Sequence, residues 1–217
     1  MDAKTIIAKR IAQEFKDHDL VNLGIGLPTL VANYIDPNIT VYLQSENGLI
    51  GLGPTPEEEA IDKHLTNAGG QPVTLLPHGM YFDSVTSFGI IRGGHVDVTV
   101  LGALEVDQEG SLASWIVPKK LVPGMGGAMD LVVGAKKVIV ATTHTNKNQS
   151  KIKQRCTLPL TAYQEVNMIV TEMAVFEIKA HQLILTERHP DVSIEMIEEN
   201  TEATFTYDTV KIMEGLS

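Results

Sequence analysis

The stretch Ile39-Thr40-Val41-Tyr42-Leu43-Gln44-Ser45-Glu46-Asn47-Gly48-Leu49-Ile50-Gly51-Leu52-Gly53-Pro54 decides how this chain is read. Its first residues are β-branched and aromatic enough to predict a strand, and Asn47-Gly48 is a pair that tolerates positive φ and turns the backbone sharply. Glu46 is therefore placed at the carboxyl end of a strand, on a tight turn. Open α/β sheets bind ligands at that edge, and a carboxylate among small residues there is accessible. Exposure is also the default for glutamate, so the stretch alone favours a solvated turn. The rest of the chain has to decide between the two.

On the amino-terminal side, Ile6, Ile7, Ile11 and Phe15 recur at helical spacing, which predicts a surface helix over residues 4–16 ended by Asp17-His18-Asp19. Leu20-Val21-Asn22-Leu23 reads as a strand, followed by the glycine loop Gly24-Ile25-Gly26-Leu27-Pro28-Thr29 and a helix from Leu30. That order points backbone N–H groups at anions. The loop lacks the third glycine of a dinucleotide fingerprint, because Thr29 stands in its place. On the carboxyl side, Thr55-Pro56-Glu57-Glu58-Glu59 predicts a helix start running towards Thr66, with acids in its first turn. Residues 73–76 read as a strand, residues 85–91 as a helix capped by Asp83 or Ser84, and residues 96–104 as a strand apolar enough for mid-sheet. Asp107-Gln108-Glu109-Gly110 turns that strand into a hairpin with residues 111–117. A second glycine loop, Gly124-Met125-Gly126-Gly127-Ala128, runs into a helix, and a strand follows at residues 138–141. Residues 166–178 pair with residues 183–186, before an acidic helix over residues 193–200. Strands alternating with helices predict an α/β fold: a mostly parallel sheet flanked by helices, with an antiparallel addition towards the end. No repeat or linker divides residues 1–217, so one domain is expected.

A net charge of −10 excludes nucleic acid or an anionic membrane as the main partner. The charge is uneven. Residues 119–155 hold eight Lys/Arg (Lys119, Lys120, Lys136, Lys137, Lys147, Lys151, Lys153, Arg155) against the single acid Asp130, a local +7 that suits a small polyanion or an acidic partner surface. Cys156 is the only cysteine, so no intrachain disulfide forms and a reducing compartment is allowed; beside Arg155 it is expected to be a small buried hydrophobe. No apolar run spans a bilayer, and the amino terminus leads into an amphipathic pattern unlike a signal peptide, so a cytoplasmic protein is expected.

The seven histidines show no metal-ligand spacing, and no metal site is expected. His95, between Gly94 and Val96, is expected to be a hydrogen-bonded structural histidine. No Gly-x-Ser-x-Gly elbow is present. Glu46 and two glycine loops remain, each expected where a strand meets a helix. A carboxylate can act as general base, as acyl-accepting nucleophile or as a hydroxyl ligand. Gly126 or Gly127 can supply an N–H for a developing oxyanion, which together with a nucleophile points to acyl transfer. The same parts serve proton abstraction from a sugar phosphate, and residue chemistry leaves the two open.

Gln44-Ser45-Glu46-Asn47-Gly48 resembles the Ser-Glu-Asn-Gly signature of the family I coenzyme A-transferases, in particular the β subunit of the acetate/acetoacetate (3-oxoacid) type. The resemblance extends to Val21-Asn22-Leu23-Gly24-Ile25-Gly26-Leu27-Pro28, Asn67-Ala68-Gly69-Gly70, Arg92-Gly93-Gly94-His95-Val96-Asp97, Gly124-Met125-Gly126-Gly127-Ala128-Met129-Asp130 and Cys156-Thr157-Leu158-Pro159-Leu160-Thr161. Ser114 before Trp115, where Asn is usual, and Lys119 after Pro118, where Gly is usual, depart from it. The resemblance implies that Glu46 attacks a thioester carbonyl and comes to carry coenzyme A as a glutamyl thioester. It implies that the Gly126 and Gly127 amides hold the oxyanion, that Asn22 and Asn47 position Glu46, and that the loop with Gly24, Gly26 and Leu27 lies beside the coenzyme. Lys147 is the residue of the basic island chosen for a phosphate or ribose contact. Coenzyme A enters as substrate, with no permanently bound cofactor. The substrates are acyl-CoA and a short-chain carboxylate, and the partner is a separate α subunit in an α2β2 heterotetramer. The alternatives from other classes are a sugar-phosphate isomerase or ligand sensor of related α/β fold, and a coenzyme-A-binding regulatory subunit.

Overall fold

The apolar strand predicted over residues 96–104 forms β5 (Val98–Gly102), with four of its five residues buried, and the sheet is built outward from it. Burial on both faces is what a central parallel strand requires. The computed structural model describes residues 1–117 and 124–216. In chain order the strands are β1 (Leu20–Leu23), β2 (Tyr42–Ser45), β3 (Leu49–Leu52), β4 (Leu75–Tyr81), β5, β6 (Glu105–Asp107), β7 (Leu112–Ala113), β8 (Lys137–Ala141), β9 (Thr145–Asn146), β10 (Gln149–Ser150), β11 (Ile152–Lys153), β12 (Met168–Val170), β13 (Ala174–Lys179), β14 (Gln182–Arg188) and β15 (Lys211–Ile212). Among the described residues they form a ten-stranded sheet in the order β15-β14-β13-β12-β8-β5-β1-β2-β3-β4, with small sheets β11-β6-β7 and β10-β9 beside it.

The middle strands β12, β8, β5, β1 and β2 are parallel, so their carboxyl ends share one edge. The antiparallel addition expected towards the end is present in β12-β13-β14. A second one, β2-β3-β4, lies at the opposite side of the sheet. Glu46-Asn47-Gly48 is thus the turn of the β2-β3 hairpin and not a junction between strand and helix, which corrects the expectation for that stretch. Gly48 is obligatory there: its φ is +119°, and a Cβ would stand 2.1 Å from the Phe82 carbonyl oxygen.

Helices cover both faces. On one, α1 (Ala3–Ala12) buries Ile7 and Ile11 against Val21, Val98, Val100 and Ile139. On the other, α2 (Ser84–Arg92), α3 (Ala128–Gly134) and α4 (Ile194–Asn200) place Ile91, Leu131, Val132 and Ile197 against Leu101, Val138, Val140 and Ile169. Asp2 and Asp83 cap α1 and α2, accepting from the Thr5 and Thr86 N–H groups at 2.8 Å. Helix α1 stops four residues short of the expected end, because the chain turns at Gln13 and folds Phe15 back into the core.

Two expected helices are reduced. Residues 55–66 contain only the 3-10 turn Glu58–Ala60, none of it buried, since a run of like charges has no apolar face for tertiary packing to hold. The segment after the first glycine loop is the 3-10 helix Leu27–Tyr34, without an α-helical amino terminus facing an anion. The basic island is also dispersed. Lys136 pairs with Asp97 (2.7 Å), Lys137 with Glu14 (2.6 Å) and Lys153 with Glu202 (2.7 Å), while Lys151 is drawn inward onto Thr142. Lys119, its departure from the family pattern, and Lys120 lie outside the described residues.

Candidate active site

Glu46 is half-buried at a cavity of about 300 Å³ formed where the carboxyl ends of β1 and β2 meet the loops around them. Strands β1 and β2 pair in parallel, so their carboxyl ends and the loops that follow them meet at one edge of the sheet, and the cavity lies there. Leu23, Gly24 and Ile25 form one wall, Ser45 and Glu46 another, and Asn67, Ala68 and Gly69 a third. The third wall is fastened to the hairpin: Ser45 Oγ accepts from the Ala68 N–H (2.9 Å), and Asn47 Nδ2 donates to the Thr66 carbonyl (2.8 Å).

Asn22, 1% exposed on β1, donates from Nδ2 to Glu46 Oε2 at 3.4 Å, the outer limit of a hydrogen bond, and to Gln44 Oε1 at 2.7 Å. Its neighbour in register on β2 is Gln44, so parallel pairing alone brings the two amides together. Gly127 packs on the other side of Glu46. A Cβ at Gly127 would meet Glu46 Cγ at 3.1 Å and Cβ at 3.4 Å, so this glycine is what lets the second glycine loop close over the carboxylate stem. Among the described residues no acceptor takes the Gly126 or Gly127 N–H. Gly126, at φ +53°, stands exposed beside Gly127.

The structure thus brings Glu46, Asn22, Gly24 and Gly127 together, with Gly126 adjacent. The other expected site residues take the following places. Asn47 spends its amide on the Thr66 carbonyl and positions the turn, not the carboxylate. Gly26 and Leu27 are not on the cavity lining, where Thr29 and Leu30 stand instead. Gly24 serves packing as well, since a Cβ there would come within 3.0 Å of the Val100 carbonyl oxygen. Lys147 sits exposed in the turn of β9-β10, a two-stranded sheet apart from the main one, and is not on the lining. The described lining carries no Lys, Arg or His.

Other titratable residues are held by structure. His95 is exposed and its ring has no hydrogen bond among the described residues, against expectation. The buried histidine is His144, whose Nδ1 and Nε2 are hydrogen-bonded to Thr171 Oγ1 and Thr201 Oγ1, each at 2.9 Å, and whose pKa burial pushes down to about 4. Cys156 is half-buried, and burial, with Asp107 and Glu105 nearby, pushes its thiol up to about 12, which removes it as a thiolate.

Gln44 and Asn67-Ala68-Gly69 stand in the family motifs but carried no site role in the sequence, and Ser87 stood in none of them. A buried glutamine in a strand beside the carboxylate was the available signal; Ser87 had none, because only the packing of α2 on the sheet brings it near.

Comparison with known proteins bears on the same residues. Residues 4–200 match the coenzyme A transferase family. The chain is 57% identical over 206 residues to the acetate CoA-transferase subunit beta of Haemophilus influenzae, covering 94% of this chain and 92% of that protein. It is 54% identical over 206 residues to the subunit of the same name in Escherichia coli, covering 94% of each. The fold is similar to that of an acyl-CoA transferase from Escherichia coli O157:H7, with a TM-score of 0.77 at 22% identity over 98% of this chain and 43% of that one. The chain belongs to the coenzyme A transferase family and corresponds, over nearly its whole length, to relatives named as the β subunit of such an enzyme.

Proposed function

We propose that the chain is the β subunit of an acetate/3-oxoacid-type CoA-transferase, moving coenzyme A between a short-chain acyl-CoA or acetoacetyl-CoA and a free carboxylic acid such as acetate. The observation that carries the reading is Glu46 at the cavity, with the Asn22 amide at its carboxylate and Gly127 against its stem. In this reading a Glu46 oxygen attacks the thioester carbonyl, the C–S bond breaks, and coenzyme A leaves as thiolate, with the acyl group now on Glu46 as a mixed anhydride. The thiolate attacks the glutamyl carbonyl, releasing the first acid as carboxylate and leaving coenzyme A on Glu46 as a thioester. The second acid collects it by the reverse steps. Each exchange replaces one carboxylate by another and is nearly isoenergetic, so no ATP is required. A carboxylate is ionised at neutral pH and needs positioning rather than a base. The Gly126 and Gly127 N–H groups are the oxyanion donors, each worth about 2.7–4 kcal/mol when well aimed. Coenzyme A is the substrate, with no resident cofactor.

The site is completed by a separate α subunit in an α2β2 assembly. Apolar side chains lie in the open towards the site end of the molecule: Ile25, Met80, Tyr81, Val85 and Met129, from the loop after β1, edge strand β4 and the first turns of α2 and α3. Exposed apolar surface of this kind marks a protein interface. No described helix is long and apolar enough to cross a membrane, in keeping with a cytoplasmic enzyme. A sugar-phosphate isomerase is disfavoured by the described lining, which offers no cation to a phosphate.

The test is covalent. With the α subunit present, acetoacetyl-CoA is expected to leave a borohydride-reducible thioester on Glu46, and Glu46→Ala is expected to lose both the label and turnover. Wild-type exchange by Glu46→Ala would overturn the reading.

A further inference from the structure

Gln44 has no part in the chemistry above, yet it stands at the centre of the only hydrogen-bonded path among the described residues that runs from α2 to the Glu46 carboxylate. It is 3% exposed. Its Nε2 donates to Ser87 Oγ on α2 at 3.1 Å, and its Oε1 accepts from Asn22 Nδ2 at 2.7 Å, a shorter contact than the 3.4 Å from the same nitrogen to Glu46. The Gln44 main-chain carbonyl also faces Asn22 Nδ2, at 3.3 Å.

A main-chain carbonyl can only accept, so it fixes which end of the Asn22 amide turns towards β2. The Gln44 side chain then takes one Nδ2 hydrogen in the short bond, and the other is shared between the Gln44 main-chain carbonyl at 3.3 Å and Glu46 at 3.4 Å. The opposite amide orientation would set Asn22 Oδ1 against three acceptors, one of them a carboxylate. The orientation present leaves the buried Asn22 Oδ1 with no partner among the described residues. Turning Nδ2 towards β2 thus takes precedence over pairing Oδ1. Ser87, fully buried, is in turn fixed by helix α2.

We propose that Gln44, anchored by Ser87, is a positioning residue that aims the Asn22 amide at the Glu46 carboxylate. The proposal rests on Glu46 being the nucleophile. Gln44→Met keeps length and volume and removes both hydrogen bonds. In the αβ complex it is expected to slow single-turnover formation of the Glu46 thioester about tenfold, as for a misaligned reacting group, with KM for acetoacetyl-CoA unchanged. Ser87→Ala is expected to slow the same step about threefold, again with KM unchanged. On an Asn22→Ala background neither substitution should slow the step further, because a residue acting through Asn22 has nothing left to act on. A residue that merely supports the fold would add its effect to that of Asn22→Ala. Wild-type rates in both variants, a rise in KM matching the loss of rate, or additive losses would overturn the proposal. Should Gln44→Met fail to fold, the Ser87→Ala cycle with Asn22→Ala decides it on the same criteria. A wild-type complex that forms no thioester on Glu46 would overturn the transferase reading instead.

Discussion

Two polar clusters stand on the carboxyl edge of one sheet, and they differ in whether they close on themselves. The first, just beyond β8, is sealed: both ring nitrogens of His144 are hydrogen-bonded, its main-chain N–H donates to Glu172 Oε2 at 3.0 Å, and the residue is 0% exposed. The second, at β1 and β2, is left open. Its amides end on a half-buried carboxylate at a cavity, and one amide oxygen is unpaired. The sealed cluster holds the strongly displaced histidine, while the open one holds the group that a substrate can reach. The His144 shift comes from burial, and a group that a substrate cannot reach does no chemistry on it. Access is therefore the better guide to the site in this molecule.

The contrast is most directly broken at its reactive end. Glu46→Gln in the αβ complex is expected to lower exchange by about a thousandfold or more while leaving the melting temperature within about 2 °C of wild type, since glutamine keeps the stem that Gly127 packs against and changes only the head group. Activity near wild type in steady-state assays would assign the chemistry elsewhere.

The sealed cluster should answer to pH rather than to substrate. Burial lowers the pKa of His144 from an ordinary 6.5 to about 4. Between those values the unfolded chain binds a proton that the folded chain refuses, so the contribution is complete above pH 6.5, is lost as pH falls through the interval, and is gone below pH 4. The whole loss amounts to about 3 kcal/mol. His144→Gln has no such proton to bind. Urea unfolding of the two proteins at pH 7, 6 and 5 should show wild type losing stability faster, and parallel curves would mean that the histidine is not held neutral.

Gly127→Ala tests closure over the carboxylate. At φ −82° alanine is conformationally acceptable, so the expected effect comes from the new methyl against Glu46. We expect a fall in kcat of about tenfold to thirtyfold with folding intact, by displacement of the nucleophile. Unchanged kcat would show that the loop yields without moving Glu46. The smallest effect belongs to Asp83→Ala, which removes the α2 cap and should cost about 1 kcal/mol in chemical denaturation. A loss much larger than that would mean that α2 and the Ser87 it carries are less secured by packing than their burial implies.

Much of the fold was legible because its signals were local and redundant. β5 reads from its mostly apolar, β-branched run and α2 from the Asp83 cap and Gly93 at its end, while the 107–110 turn is where it was expected but closes the small β6-β7 hairpin and does not return the 96–104 strand on itself. The strand β3 was missed although Asn47-Gly48 flanked by apolar residues is a hairpin signal, because the short run Leu49–Leu52 is interrupted by Gly51. The 55–66 helix was expected from composition and dipole arguments, which act within one segment and cannot supply a surface to pack against. The basic island was contiguous in sequence, but Lys136, Lys137 and Lys153 reach acids from distant parts of the chain, and those ion pairs dissolve it as a patch.

The sequence by itself determined the nucleophile candidate, the turn that carries it and the family to which the chain belongs, because a signature such as Ser45-Glu46-Asn47-Gly48 is a local property of adjacent residues. Only the tertiary structure decided what surrounds the carboxylate. Strand order sets β1 beside β2, register sets Asn22 beside Gln44, helix packing brings Ser87 beneath them, and a loop some eighty residues downstream lays Gly127 against Glu46. None of these neighbours is adjacent in sequence, and hydrogen bonds of about 3 Å depend on positions that only the packed sheet fixes.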